Sequence, residues 1–314
     1  MGFIGIQMMI SSILSSSYRE IGRVRVILVI TLIAAGSNAF LNWVFIYGHL
    51  GMPRLEVEGA AYATIIAKTV EMLLLIGYTI KERPEFISFS VFKRIDWALF
   101  GRILKKGSLL IISQMMWVLS ESFTAAIYNG RGNAAVVSGM AASFSIANLF
   151  FISFDGITTA TGVLIGKSLG RNELDDARKE KTWMLSAAII FGCIMCLVGV
   201  VTVLLVPVVF GNLSIDAQNI CRAMLLLMAL FMPLWIYVNT QLAVCRAGGD
   251  TKVGFLVDGG TTAVMIPMLL ILAFFTNASP VMMYFGVKAL DVGKIIVATH
   301  EMKKERWVVN LSNG

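Results

Sequence analysis

The amino-acid sequence predicts an all-α membrane protein, a polytopic bundle of transmembrane helices. Of its 314 residues, 57% are hydrophobic and only 14% are charged, and the mean hydropathy is +0.80. Soluble domains contain roughly 45–50% apolar and about 25% charged residues, so this chain is too apolar to be soluble. The apolar residues are collected in separate long runs, and a helix needs ~20 such residues to cross the hydrocarbon of a bilayer.

The predicted helices follow these apolar runs in order. No run alternates apolar and polar residues with a period of two, as the strands of a membrane barrel would. The runs cover residues 1–17, 24–47, 59–80, 107–128, 134–165, 183–209, 217–244, 253–275 and 280–298. The first run is short and would have to begin on the outer face, so we expect further spans to precede it in the complete protein.

The distribution of Lys and Arg predicts the orientation of the helices. Among the loops, one alternate set holds nearly all of the basic residues, and the other set holds only Arg54 and Arg131. Because basic loops stay on the cytoplasmic side, the rich set is predicted to be cytoplasmic, together with the C-terminus. The net charge of +7 follows from these loops and requires no nucleic-acid partner.

The longest polar connection, residues 81–106, is predicted to divide the chain. Phe, Ile and Leu residues alternate there with Lys and Arg, as in an amphipathic helix that lies on the membrane surface. We interpret it as a cytoplasmic linker between a first lobe, residues 1–80, and a second lobe, residues 107–300. Residues 301–314 are predicted to be a cytoplasmic tail. A polybasic regulatory site in the linker is a less favoured alternative.

An internal repeat supports this division. A glycine-containing turn at residues 18–26 is echoed at residues 245–253, with Gly22 matching Gly249. The pattern Lys68-x-x-Glu71 recurs as Lys288-x-x-Asp291, and Thr79 and Thr299 follow at the same distance. Because both copies start on the same side of the membrane, we predict parallel repeats.

The sequence contains no catalytic constellation. It has no P-loop, Gly-x-Ser-x-Gly or His-Glu-x-x-His motif, and His49 and His300 have no partner at the spacing of metal ligands. Cys193 and Cys196 have redox spacing, but they lie in an apolar run, where an accessible thiolate is not expected. We therefore predict no enzyme activity, no metal site, no cofactor and no disulfide framework.

Polar side chains inside the apolar runs are the candidates for ion coupling, because such groups are costly in lipid and mark an interior cavity or an ion path. Gln114 and Glu121 are seven residues apart, on nearly the same face of a helix. They predict a cation or proton site; a hydrogen bond from Gln114 to a neighbouring helix and an interfacial Glu121 would explain them equally well. The ion-coupling candidates are Gln114, Glu121, Asp155, Asp258, Asp291 and Lys294.

The other candidates have plainer alternatives as well. Asp155 lies mid-run and would cost ~2.5–3.5 kcal/mol in lipid, so we expect it to face inward. Asp258 is near the cytoplasmic end of its span, and exposure to water there would explain it as well as a role in ion coupling. Asp291 and Lys294 are one helical turn apart, and such a pair can neutralise itself without any role in transport.

Amide, methionine and aromatic side chains supply the candidates for a substrate cavity. Amides inside spans usually join helices, and they sometimes bind Na⁺ or substrate. Methionine and tryptophan could accept apolar cations by dispersion and cation–π contact, or could simply pack. The substrate-cavity candidates are Asn42, Trp117, Met140, Asn239 and Gln241.

Several segments together carry a family resemblance. Residues 41–48 (LNWVFIYG), residues 59–64 (GAAYAT), residues 162–174 and the turn at residues 246–251 (RAGGDT) are the most specific. They resemble spans five and six, span eight with its loop, and the turn between spans ten and eleven of multidrug and toxic compound extrusion (MATE) transporters. Residues 232–233, 256–260 and 306–307 are most similar to the clostridial-type branch.

The resemblance implies a MATE-like two-lobe architecture around a central cavity. This chain would keep the end of the fourth span and spans five to twelve, so its N-lobe would be incomplete. Related sequences often have a Glu where Gln114 stands, and Gln carries no titratable proton. Glu121, Asp155 or Asp258 would then have to substitute, or the ion coupling would differ.

The function implied is that of a cation-coupled secondary antiporter in the cell membrane. It would export organic cations, drugs or metabolites by alternating access, with Na⁺ or H⁺ as the coupling ion. The expected partners are a small-molecule substrate, an organic cation in the first place, and the lipid bilayer, and the complete protein is expected to be a monomer. The alternatives are a lipid or lipid-linked sugar flippase of the same superfamily, or a non-transporting fragment.

Overall fold

The computed structural model describes residues 2–84 and 96–309, and these residues form ten helices and no strand. The helices are α1 (Gly2–Glu20), α2 (Val24–Tyr47), α3 (Glu56–Glu82), α4 (Trp97–Arg131), α5 (Ala134–Gly170), α6 (Leu174–Val209), α7 (Ile215–Ala247), α8 (Lys252–Phe275), α9 (Pro280–Ala289) and α10 (Asp291–Lys303). Within the described ranges, seven helices are long and apolar enough to cross a membrane, namely α2, α3, α4 from Phe100, and α5 to α8. The predicted all-α membrane class is confirmed.

The helix ends differ from the apolar runs where polar residues stabilise extra turns. α6 begins at Leu174 rather than at residue 183, because Asp175 pairs with Arg178 and Asp176 pairs with Lys179, each at 2.9 Å. Such pairs, one turn apart, stabilise the start of a helix.

The last apolar run was predicted as one helix, and this prediction was wrong. The run is interrupted at Leu290, which separates α9 from α10. There the amide of Leu290 donates to the carbonyl of Val287 and the amide of Gly293 donates to the carbonyl of Leu290. These bonds span three residues instead of four, so the chain is wound more tightly at this point than in an α-helix.

The chain divides into two compact units, Met1–Asp96 and Trp97–Gly314. Residues 85–95 of the predicted linker lie outside the described residues. The end of the predicted linker is helical, because α4 begins at Trp97 and continues into the span without interruption.

In the first unit, α3 packs against both α1 and α2. At Gly59 the backbones of α2 and α3 are so close that a Cβ atom would lie 2.7 Å from the carbonyl of Phe45. Polar bonds join α1 to α3: the Tyr18 hydroxyl donates to Thr79 Oγ1 at 3.0 Å, and Gln7 Nε2 donates to Thr69 Oγ1 at 2.7 Å.

In the second unit, α7 is the central helix and packs against α5, α6, α8, α9 and α10. Its contact with α6 is close, because a Cβ at Gly192 would lie 2.5 Å from the Cα of Pro233. α4 packs mainly against α8. The Arg131 guanidinium at the end of α4 donates to the carbonyls of Leu272, Ala273 and Thr276, and so caps the last turn of α8.

The repeated turns have the same backbone structure. Gly22 and Gly249 both have positive φ, +81° and +78°, which an L-residue adopts only at a cost. The same two amide-to-carbonyl bonds close both turns, from Gly22 to Arg19 and Arg23 to Tyr18, and from Gly249 to Arg246 and Asp250 to Cys245. The turn of the internal repeat is therefore repeated in structure as well.

The residues after α10 do not extend away as a free tail, at least as far as residue 309. Trp307 is 1% exposed and packs into an apolar cluster with residues of α5, α7 and α8. Its carbonyl oxygen lies so close to Gly248 that a Cβ there would be 1.9 Å away. Arg178 of α6 pairs with Glu305 at 2.9 Å. This C-terminal strap, residues 304–309, therefore covers the turn between α7 and α8.

Candidate functional site

The polar face of α4 is the starting point of the candidate site. Ser113, Ser120 and Thr124 are buried on this face, whereas most apolar residues around them are exposed, as expected for a helix whose other faces meet lipid. Ser113 donates a hydrogen bond of 2.7 Å to Asp258 Oδ2 on α8. One of the predicted carboxylates is thus held between two helices.

Glu121 lies on the same helix and is paired with a lysine from α9. Lys288 Nζ is 2.6 Å from Glu121 Oε1. The side chain of Lys288 is only 12% exposed, and that of Glu121 is 30% exposed. Charges in an apolar bundle are retained where they are paired, so each of these groups depends on the other.

Two aromatic rings flank the Lys288 ammonium. Its Nζ lies 5.6 Å from the ring centre of Trp235 on α7 and 5.5 Å from that of Tyr284 on α9. At such distances the negative faces of the rings attract a cation. A carboxylate and two aromatic rings therefore share one ammonium group.

Trp235 connects this group to the second charged pair. Its indole Nε1 donates to Asp291 Oδ2 at 2.8 Å, and Lys294 Nζ is 3.2 Å from Asp291 Oδ1. Asp291 is 6% exposed. We call Glu121, Lys288, Trp235, Asp291 and Lys294, with Tyr284 and Tyr128, the charged cluster.

Tyr128 completes the charged cluster on the α4 side. It is 1% exposed, lies seven residues after Glu121, and its ring centre is 6.3 Å from that of Tyr284. Its hydroxyl is buried and has no hydrogen-bond partner among the described residues. Buried hydroxyl groups are almost always satisfied, so this one requires an explanation.

The predicted amides form local bonds. Asn42 Nδ2 donates to Asn38 Oδ1 at 3.0 Å in the first unit. Asn239 Nδ2 donates to the carbonyl of Trp235 at 2.8 Å. Gln241 Nε2 donates to Thr299 Oγ1 at 2.8 Å, while its Oε1 is buried and unpartnered within the described part of the chain.

The remaining candidates are not brought together. Gln114, Asp155 and Trp117 are exposed on the helices of the second unit. Met140 is 4% exposed and packs in an apolar cluster that also contains Tyr128 and Tyr284. The structure thus joins Glu121 and Asp258 to other helices. It leaves Gln114 exposed on its unit, and also Asp155, which we expected to face inward.

Sequence reasoning predicted the pair of Asp291 and Lys294 but missed the partners that Glu121 has on other helices. Lys288 was noticed only for its repeat with Lys68, and Trp235, Tyr284 and Tyr128 were not singled out. Lys288, Trp235 and Tyr284 are far from Glu121 along the chain, so no local pattern connects them with it. The one available signal was a lysine inside an apolar run, which requires a counter-charge from somewhere.

These features define a polytopic helical membrane protein in which a charged pair joins two helices, and comparison with known proteins identifies the family. Residues 110–271, more than half of the chain, match the MatE family model. The chain belongs to the MatE family, which confirms the resemblance seen in the sequence.

Known relatives agree with this assignment. The chain is 26% identical over 299 residues to a probable multidrug resistance protein NorM of Mesorhizobium japonicum, a match that covers 91% of this chain and 63% of that protein. It is 28% identical over 220 residues to a protein of the same name from Neisseria meningitidis serogroup B, covering 68% of this chain and 47% of that protein. The chain thus spans less than two thirds of the length of these relatives.

Solved structures show the fold. The chain superimposes on a mutant of the Vibrio cholerae MATE transporter VcmN with a TM-score of 0.77 and 17% identity, over 95% of this chain and 67% of that one. A MOP superfamily transporter from Pyrococcus furiosus gives a TM-score of 0.71 and 18% identity, over 86% of this chain and 59% of that one. The helices of this chain therefore have the MATE transporter fold.

Proposed function

We propose that this chain is part of a cation-coupled secondary antiporter that exports organic cations, drugs or metabolites by alternating access. Membership of the MatE family supports export, and the buried polar groups of the second unit support ion coupling. The coupling ion would be Na⁺ or H⁺. The distribution of Lys and Arg supports a cytoplasmic C-terminus.

The single observation that carries the proposal is the bond between Ser113 and Asp258. Asp258 accepts a hydrogen bond from a neutral hydroxyl, whereas Glu121 and Asp291 each pair with a lysine. A coupling ion must bind in one state and leave in another, which a carboxylate with no ion-pair partner in the described part of the chain allows. Asp258 is therefore the leading candidate for the coupling carboxylate, with Ser113 as its exchangeable partner.

The proposal is tested by gradient-driven efflux. A fluorescent organic cation is added outside inverted membrane vesicles that contain the chain, so that export appears as uptake into the lumen, and Na⁺ and H⁺ gradients are imposed separately. We expect transport above that of vesicles lacking the chain, and we expect Asp258→Asn to reduce it by about tenfold, within the usual range of a coupling interaction. Asp175→Asn is the matched control, because that carboxylate is 87% exposed at the start of α6.

Two results would contradict the proposal. One is wild-type transport no greater than the background of empty vesicles under both gradients. The other is an Asp258→Asn variant that transports like the wild type at equal amounts of folded protein, which would remove Asp258 from the mechanism.

A further inference from the structure

The groups around the Lys288 ammonium are those of a cation-binding site, and the chain's own lysine occupies this site. We propose that Glu121, Tyr284 and Trp235 bind a free monovalent cation, and that the Lys288 ammonium, which occupies this place in the structure, leaves when that cation arrives. The inference rests on the proposed function, since a transport cycle would bring the free cation. It assigns to Lys288 the role of a tethered competitor.

The first argument is the way the ammonium is held. One carboxylate oxygen lies 2.6 Å from Nζ, and the rings of Trp235 and Tyr284 lie 5.6 and 5.5 Å away. A carboxylate together with aromatic faces is a general solution for binding a cation in apolar surroundings. None of these three contacts requires that the cation be joined to the chain.

The second argument is the unpartnered hydroxyl of Tyr128. This group is buried on the same face of α4 as Glu121 and next to Tyr284, but it has no hydrogen-bond partner in the described part of the chain. A phenol oxygen can accept a bond from an ammonium ion or coordinate a metal cation. A free cation, unlike the tethered Lys288, could adjust its position to reach this oxygen as well as Glu121.

The third argument is that a second carboxylate, that of Asp291, is near enough to pair with Lys288. Asp291 is three residues further along and already binds Trp235 and Lys294. A lysine has a flexible four-carbon stem, so its ammonium can change partners without movement of the backbone. The ammonium could therefore pass from Glu121 to Asp291 around the ring of Trp235.

The fourth argument is access. The side chain of Glu121 is 30% exposed, whereas that of Lys288 is 12% exposed. A cation can therefore approach the Glu121 carboxylate from its exposed side, while the Lys288 ammonium remains in contact with its less exposed side.

The test is direct cation binding to the purified chain in detergent, which requires no gradient and no transport. Radiolabelled sodium and radiolabelled methylammonium are the two probes. We expect Lys288→Met to bind one of them on the order of tenfold more tightly than the wild type, because the competing ammonium is gone. Adding Glu121→Gln should abolish this gain, and Lys68→Met, the matched lysine of the repeat, should bind like the wild type.

The choice of probe separates two sources of the same chemistry. Tighter methylammonium binding assigns the site to an amine substrate, and tighter sodium binding assigns it to a coupling ion. If Lys288→Met binds neither cation more tightly than the wild type, the inference is wrong. Should that variant not stay folded, Lys288→Gln retains a hydrogen-bond donor to Glu121 and is held to the same criterion.

Failure of this inference and failure of the proposed function can be distinguished. If Lys288→Met binds the cation more tightly but the wild type shows no efflux, the antiporter function is rejected and the cation site is supported. If the wild type shows efflux but neither Lys288→Met nor Lys288→Gln changes cation binding, the antiporter function is supported and the role of Lys288 as a competitor is rejected.

Discussion

Lys68 and Lys288 occupy the same place in two copies of one sequence pattern, yet their ammonium groups meet different partners. Lys68 bonds to Glu71 of its own helix at 2.8 Å and remains 37% exposed. Lys288 reaches Glu121 of another helix and is 12% exposed. The difference follows from the break at Leu290, which places Asp291 at the start of α10 instead of one turn along the same helix.

The turns of the two copies differ in a similar way. Their backbone bonds are the same, but Ile21 of the first turn is 53% exposed, whereas the matching Gly248 lies beneath the backbone of Trp307. A duplicated sequence therefore retains the local structure, and the neighbouring segments determine which copy becomes buried. In the second copy the lysine pairs with a carboxylate of another helix, and the turn meets the backbone of the C-terminal strap.

The largest difference is expected for the lysines. Lys288→Met leaves Glu121 without its counter-charge in an apolar bundle, which should cost about 3 kcal/mol of unfolding free energy, the lower end for a buried pair because Glu121 is partly exposed. Lys68→Met breaks a pair within one helix and should cost at most about 0.5 kcal/mol. Urea unfolding of both variants in detergent measures these values, and equal losses would show that the two pairs are equivalent.

The turns should show the next largest difference. Gly248→Val places side-chain atoms where the Trp307 carbonyl lies, and such overpacking should cost about 2 kcal/mol and detach the C-terminal strap. Ile21→Val, at the matching exposed position, should stay within ~0.5 kcal/mol of the wild type. Trypsin cleavage after Lys304 reports detachment of the strap, and an unchanged cleavage rate in Gly248→Val would contradict its packing over the turn.

Trp235→Phe should have a smaller effect. The phenyl ring still faces Lys288, but Asp291 loses the indole donor at 2.8 Å and keeps only Lys294. The cost should be about 1 kcal/mol, the usual net value of a hydrogen bond. Trp43→Phe in the first unit is the control, since that side chain is 45% exposed. A loss no greater than in this control would mean that the indole bond to Asp291 contributes nothing.

The smallest effect concerns Glu301, which lies beyond the last apolar run. Lys304 donates to this carboxylate and, with Arg306 nearby, lowers its pKa. A lowered pKa stabilises the folded state at neutral pH, and this stabilisation is lost as the pH falls through the pKa of the folded state. The melting temperatures of wild type and Glu301→Gln should therefore differ slightly at about pH 7 and converge at about pH 3. If the difference between the two melting temperatures increased as the pH fell, the lowered pKa of Glu301 would be contradicted.

The sequence was sufficient for features that depend on neighbours along the chain. α2 coincides with its apolar run, Lys68 pairs with Glu71, Asp291 pairs with Lys294, and Gly22 and Gly249 have the positive φ that the repeated turn requires. These features follow from composition, helical spacing and backbone sterics, which a sequence displays directly.

The contacts between distant helices could not be predicted. Glu121 and Lys288 are far apart in the chain, and nothing in either span indicates which helix it faces. Asp155 was expected to turn inward because lipid penalises charge, but this argument does not say which side of α5 is covered. The break at Leu290 gave no signal either, because residues 280–298 are apolar apart from three charged residues, Lys288, Asp291 and Lys294. The roles of all these residues in ion coupling stay predictions.

The matched glutamates of the two copies offer the most direct test of the account. Gradient-driven efflux is measured for Glu121→Gln and Glu71→Gln at equal amounts of folded protein. We expect the Glu121 variant to lose its response to the imposed gradient, because Glu121 would bind the free cation once Lys288 leaves. The Glu71 variant should keep its response, because Glu71 pairs with a lysine of its own helix. Equal efflux by both variants and the wild type would show that the charged cluster holds the fold together and plays no part in transport.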